Sequence, residues 1–301
     1  MDWQETKSFL APCFPQQIRE EMELLLPGEL QEIRIRADRP CVFRTASRTA
    51  QLDWRPTLQQ VEALAEALSE HSLYARGEEM RQGYVTLRGG HRMGLCGRMT
   101  IGTEGRVLKD AASLCIRIAC QWPGSADSLL PLCLHIKRPQ SLLIIGPPGS
   151  GKTTLLRDLA RQLASGVQAV QTAVVDERGE IAACVHGVPQ LDVGESTDVL
   201  DRCPKAEAIP LLVRAMSPQL IITDELMGAA DVNAVMDAMG SGCAVIASVH
   251  GASLHEAAKR PALAAMMAQR LFRHYAVLTD TGCGQIAGIY DQAGVPLQRP
   301  S

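Results

Sequence analysis

The run Gly146-Pro147-Pro148-Gly149-Ser150-Gly151-Lys152-Thr153, followed by Thr154, has the form GxxxxGK[ST]. Glycines at these positions let successive backbone N–H groups curl around a phosphate. A helix opening at Lys152 turns its positive end toward the same anion. In that reading Lys152 reaches the β- and γ-phosphates of a nucleoside triphosphate and the Thr153 hydroxyl ligates Mg²⁺. About 70 residues later the apolar run Leu220-Ile221-Ile222-Thr223 ends in Asp224-Glu225. There Asp224 would hold Mg²⁺ through water and Glu225 would polarise the attacking water, since a general base must lie within one water of the phosphorus it serves. By itself an apolar strand running into an acidic turn is a weak signal. Downstream of a phosphate loop it is a strong one.

Two further segments carry polar groups to the ends of apolar runs. Val174-Val175 empties into Asp176, Glu177, Arg178 and Glu180. That cluster reads equally well as a solvated loop or as acids around a metal, with Arg178 near phosphate or a neighbouring subunit. Ala247-Ser248-Val249 leads to His250, which at a strand end beside the phosphate loop would sense the γ-phosphate. A lone histidine is more often structural, so position carries this reading. His250 and His255 lack the HExxH spacing of a zinc protease. From Arg76 to Arg117 the chain is rich in Arg and Gly, with Tyr84 its only aromatic. A solvated basic sheet explains it. Arg92, Arg98 and Arg117 are also candidates to reach a neighbour's nucleotide, as arginine fingers do. One aromatic leaves little for base stacking.

The elements that must position these groups follow from periodicity. Helix-like spacing over 15–27 and 58–73, strand-like alternation over 29–43 and strand-like pieces over 84–118 predict a small α+β domain, 1–120. After the connector Trp122-Pro123-Gly124-Ser125 the texture changes. Strands at 141–145, 171–177, 220–224 and 244–249 alternate with helices at 152–165, 206–216 and 230–239. Fully apolar strands separated by helices predict a parallel sheet covered on both faces, a RecA-like α/β domain over 121–301.

Composition sets the outer limits. The 301 residues, 46% hydrophobic, suffice for a sizeable core in one large or two ordinary domains. A net charge of −3 argues against a dedicated nucleic-acid binder, which needs clustered Lys and Arg. The ten cysteines form no CxxC pair and read as free, mostly core thiols of a reducing cytosol. The N-terminus carries charges and Pro where a signal peptide needs an apolar stretch, and 18 apolar residues never run together, which excludes a membrane-spanning helix.

Taken together, the phosphate loop, VVDERGE, the run from Leu212 to Glu225 and ASVHGAS resemble the Walker A, Asp box, Walker B and His box of the type II/IV secretion ATPase superfamily. Within it, EIRIRADRP (32–40), GGHRMGLCGR (89–98), SLCIRIA (113–119), TDVLDRCPKAE (197–207) and RAMSP (214–218) are similar to the stage III sporulation AA family of endospore formers. The resemblance implies an ATP- and Mg²⁺-dependent ATPase that self-associates, as a hexameric ring. It also implies a place in the mother-cell cytoplasm, peripheral at the forespore membrane through membrane-embedded channel proteins of a sporulation complex. Residue by residue it gives Gly146, Gly151, Lys152 and Thr153 the Walker A roles, Asp224 and Glu225 the Walker B roles and His250 the His-box role, with Asp176, Glu177 and Glu180 on the Asp box. Two departures stand out. Ser196 occupies a position where the family is expected to carry Arg, and DELMG (224–228) has one residue more between Glu and Gly than DEIG. An ATP-driven nucleic-acid motor and a nucleotide-gated scaffold remain alternatives.

Overall fold

The computed structural model describes residues 3–71, 79–80, 83–102 and 105–297. The chain divides into two compact units, Met1–Cys120 and Gln121–Ser301.

The first unit opens with two short helices, α1 (Trp3–Leu10) and α2 (Gln16–Glu23). Strands β1 (Leu30–Arg36), β2 (Cys41–Thr45) and β3 (Thr49–Leu52) follow, then helix α3 (Leu58–Leu68). Strands β4 (Tyr84–Thr86), β5 (Arg92–Gly102) and β6 (Gly105–Arg117) complete a six-stranded sheet of order β3-β2-β1-β6-β5-β4. Its pairings are antiparallel. Leu10, Ile18, Met22, Ile33, Ile35, Leu68, Met93 and Ile116 are fully or almost fully buried in one core between helices and sheet.

The single strand expected over 29–43 is two. Asp38 takes a positive φ of 57°, Arg39 N–H donates to the Arg36 carbonyl, and Pro40 has no N–H to continue a ladder. The chain therefore folds back as a hairpin. Helix α3 starts where its signal lies: Thr57 and Gln60 form a reciprocal capping box. It stops at Leu68, because Glu70 and His71 adopt positive φ. Residues 72–73 of the expected helix, and Arg76 and Arg81 of the basic stretch, lie outside the described residues.

The second unit holds a short helix α4 (Leu130–Cys133) and a small ladder, β7 (Leu134–His135) with β8 (Arg138–Pro139). Its main sheet begins with β9 (Leu142–Gly146), followed by α5 (Lys152–Leu163), β10 (Thr172–Asp176) and β11 (Thr197–Asp201). Then come α6 (Lys205–Met216), β12 (Leu220–Thr223), α7 (Ala229–Gly240) and β13 (Ala244–His250). After the short helices α8 (Leu254–Ala258) and α9 (Pro261–Ala268) the chain closes with β14 (His274–Leu278) and β15 (Ile286–Asp291).

The seven strands run in the order β11-β10-β12-β13-β9-β14-β15, all parallel except β15. Alternation along β9 shows the two covered faces. Leu142 and Ile144 pack with Leu155, Leu156, Leu159 and Leu163 of α5, whereas Leu143 and Ile145 pack with Ile209, Val232, Val235 and Met266 of α6, α7 and α9. Full burial of each such side chain contributes about 1.5–3 kcal/mol. This is the expected RecA-like parallel sheet, extended by β11 on one edge and by β14 and β15 on the other. The ten cysteines are free, as expected: Cys41, Cys133 and Cys184 are core residues, Cys13, Cys203 and Cys243 pack against a core, and Cys96 and Cys283 are exposed. No helix among the described residues is long and apolar enough to cross a membrane.

Candidate active site: a phosphate loop facing two carboxylates

Strand β9 is buried along its whole length and ends at Gly146, where the loop 147–151 turns the chain into α5. Gly151 caps that helix with φ 91°, and a Cβ there would fall 2.5 Å from the Gly284 nitrogen. A Cβ on Gly146 would fall 2.5 Å from Ser150 Oγ, so both positions admit only glycine without rearrangement. The loop is braced from inside by the Ser150 hydroxyl donating to the Pro147 carbonyl at 2.8 Å. It is braced from the β14–β15 turn by Gly284 N–H donating to the Ser150 carbonyl at 2.7 Å. Lys152 curls over the loop, its ammonium donating to the carbonyls of Gly146 and Pro147, each at 2.8 Å. Burial holds its pKa below the usual lysine value, an effect the Glu225 carboxylate only partly offsets.

Parallel order brings the other groups to the same edge. Strand β13 lies between β9 and β12, with His250 in register with Gly146 and Ala247 in register with Thr223. Glu225 N–H donates to Ser248 Oγ at 3.0 Å, which fixes the turn after β12. A cavity of about 400 Å³ opens here, lined by Pro148, Gly149, Gly151, Lys152, Thr153, Thr154, Glu180, Asp224, Glu225, Ser248, His250 and Cys283. It lies at the C-terminal ends of the strands, where open α/β sheets bind ligands.

Asp224 is 4% exposed. Its Oδ1 forms an ion pair with Lys205 Nζ at 3.0 Å and has no other polar partner. Burial raises its pKa above the ordinary carboxylate value despite the ammonium beside it. Lys205, 2% exposed, also donates to Glu177 Oε2 at 2.7 Å. Burial works against its charge, but the two acids outweigh that and hold its pKa above the usual lysine range. The sequence reading passed over Lys205. One signal marked it: a cation in the first turn of a helix opposes the helix dipole and needs an acidic partner. Ser248 and Cys283 were passed over as well; a serine or cysteine in an apolar or glycine-rich run carries no pattern of its own.

The four charges at and after the end of β10 part company. Asp176 is fully buried, and its two oxygens accept N–H groups from Glu180, Ile181, Ala182 and Ala183 at 2.7–3.4 Å. It staples the following loop and does not line the cavity. Glu177 is taken by Lys205. Arg178 Nη1 donates to Glu225 Oε2 at 2.8 Å, with Nη2 3.4 Å from Met227 Sδ. Of the four, only Glu180 lines the cavity. The loop after Glu225, one residue longer than expected, closes on α7: the N–H groups of Met227 and Gly228 donate to Asp231 Oδ2.

The three candidate arginines belong to the first unit. Arg92 lies over the Tyr84 ring at 4.9 Å, Arg98 pairs with Asp110 at 2.6 Å across the β5–β6 hairpin, and Arg117 is exposed on β6, in register with Glu32.

The residues fit Mg²⁺. Asp224, whose buried Oδ1 has no polar partner besides Lys205, and Thr153 line one cavity beside the phosphate loop. No cluster of three or more His, Cys, Asp or Glu able to hold a metal exists among the described residues. Mg²⁺ suits such a place, because it binds through one or two protein ligands plus phosphates and waters.

The whole chain has relatives. It is 43% identical over 276 residues to stage III sporulation protein AA of Bacillus subtilis (strain 168), covering 90% of each chain. Its fold is similar to that of the pilus retraction motor PilT solved with bound ADP, at a TM-score of 0.61 and 17% identity, covering 86% of this chain and 76% of that one. It is also similar to the Legionella pneumophila ATPase DotB, at a TM-score of 0.56 and 15% identity, covering 82% and 72%. The family model for sporulation stage III, protein AA matches residues 5–297, and the chain belongs to that family.

Proposed function

We propose that this protein binds ATP with Mg²⁺ and hydrolyses it, acting as a self-associating motor ATPase for a sporulation channel complex. The observation that carries the reading is the convergence of Lys152, Thr153, Asp224 and Glu225 on one cavity at the C-terminal edge of the sheet. The phosphate loop supplies backbone donors and a helix N-terminus to the β-phosphate. Lys152 exchanges its two carbonyl partners for phosphate oxygens, a short swing of an ammonium already at the loop. Thr153 and, through water, Asp224 would hold Mg²⁺, which supplies positive charge to the phosphate oxygens when bound. Glu225 takes a proton from the attacking water once Arg178 releases it. His250, in register with Gly146 on the neighbouring strand, would sense the γ-phosphate. The membership in a sporulation family, with relatives of the motor fold, supports a hexameric ring in the mother-cell cytoplasm, docked on membrane-embedded channel proteins. The Arg178–Glu225 pair supports a second reading, a nucleotide-gated scaffold of slow turnover, because it occupies the base.

Paired variants test the assignment. Lys152→Ala loses tight ATP binding by calorimetry. Glu225→Gln binds ATP as wild type does but hydrolyses it about 10²–10⁴ times more slowly, the usual contribution of a positioned general base. Wild-type affinity in Lys152→Ala would remove the phosphate-loop reading.

A further inference from the structure

Lys205 opens helix α6 directly after Pro204, and its ammonium is enclosed between two carboxylates that come from different strands. Glu177 follows β10 and Asp224 follows β12, neighbours in the parallel sheet. The lysine is almost fully buried and Asp224 hardly less so, whereas the Glu177 side chain is 39% exposed. One cation thus serves two anions, and only one of the anions, Asp224, lines the cavity. A buried charge has no water to replace a lost partner, so neither Lys205 nor Asp224 can leave the other without large cost.

Resting on the ATPase reading above, we infer that Lys205 is a positioning residue that sets how strongly the cavity attracts a divalent cation, so that Mg²⁺ enters with the phosphates rather than ahead of them. A bare Asp224 in a low-dielectric wall would attract a dication strongly, since charge interactions there are several times stronger than in water. The ammonium 3.0 Å away cancels much of that field while leaving Oδ1 with no other polar partner. Glu177 tunes the cancellation, because it shares the ammonium. Removing the lysine's charge exposes Asp224 to the cation. Removing the charge of Glu177 gives the ammonium to Asp224 alone. The two changes therefore shift metal demand in opposite directions, which a merely structural role would not do.

The test reads binding, not turnover. A fluorescent ADP analogue is titrated onto the full chain at pH 8 over a range of Mg²⁺ concentrations, for wild type, Lys205→Met and Glu177→Gln. The Mg²⁺ concentration giving half-maximal nucleotide binding is expected to fall about tenfold in Lys205→Met and to rise about threefold in Glu177→Gln. Should Lys205→Met fail to fold, Glu177→Gln alone decides, its side chain being far more exposed. An unchanged or lowered Mg²⁺ requirement in Glu177→Gln, or an unchanged or raised one in folded Lys205→Met, overturns the inference while leaving the ATPase reading in place. Failure of wild type to bind the nucleotide at any Mg²⁺ concentration overturns that reading, and the inference with it.

Discussion

Arg178 and Glu225 lie 47 residues apart in the chain and 2.8 Å apart in space, the guanidinium holding the carboxylate that would activate water. The pair spans two strand ends, β10 and β12, that are adjacent in the sheet. Its members are 48% and 29% exposed, so solvent screens it and it can open at small cost. A carboxylate held this way is restrained without being locked.

Arg178→Ala should therefore raise the ATPase rate of the dilute protein, by no more than about fivefold, since a pair this exposed contributes at most about 1 kcal/mol. Steady-state phosphate release at low protein concentration is the measurement. A rate that falls instead would place Arg178 on the nucleotide as a positive contributor.

Asp176→Ala should destabilise the second unit by about 3 kcal/mol or more. The change strands four backbone donors in a buried loop, each costing about 1–3 kcal/mol when left without a partner. Urea unfolding reads the loss. Asp176→Asn, which keeps one acceptor oxygen, should lie between the variant and wild type.

Acid should loosen the first unit through His91. This side chain is fully buried, accepts the Ala119 N–H on Nδ1 at 3.0 Å and leaves Nε2 without a partner. Burial lowers its pKa to about 4 from an ordinary 6.5. The unfolded chain therefore takes up the proton first as pH falls. Stability is complete above pH 6.5 and declines between 6.5 and 4, by about 3 kcal/mol in all. Unfolding measured across that window should show the slope in wild type and a shallower one in His91→Gln.

Self-association should raise activity if a neighbour completes the site. Arg92 stacks on Tyr84 and Arg98 pairs with Asp110, while Arg117 lies beside Glu32; Arg98 and Arg117 are both exposed. Specific activity should rise with protein concentration, and mixing Lys152→Ala subunits with Arg117→Ala subunits should restore turnover that neither has alone. An arginine donated in trans is worth about 10³–10⁵ in rate in phosphate-loop GTPases. No rescue with Arg117, Arg98 or Arg92 variants, all folded, would confine the three to a structural role.

The phosphate loop, the strand before it and the helix after it were legible in the sequence because their geometry is local. Glycines that permit positive φ, an apolar run and a helical stripe are contiguous, and each dictates its own backbone. The strands β10 and β12, buried throughout, and β13, buried between its two end residues, were legible for the same reason. The edge strand β11 was not, because its residues are only half-buried and Thr197, Asp198 and Asp201 break the apolar signal. The β1–β2 hairpin hid inside one alternating pattern, since both of its strands alternate and only Asp38 and Pro40 mark the turn. What a side chain pairs with was settled by tertiary structure alone. Asp176, Glu177 and Arg178 are consecutive, yet one staples a loop, one meets Lys205 and one meets Glu225. Sequence neighbours at a strand end point in different directions, and their partners arrive through strand order, which no short window of residues contains.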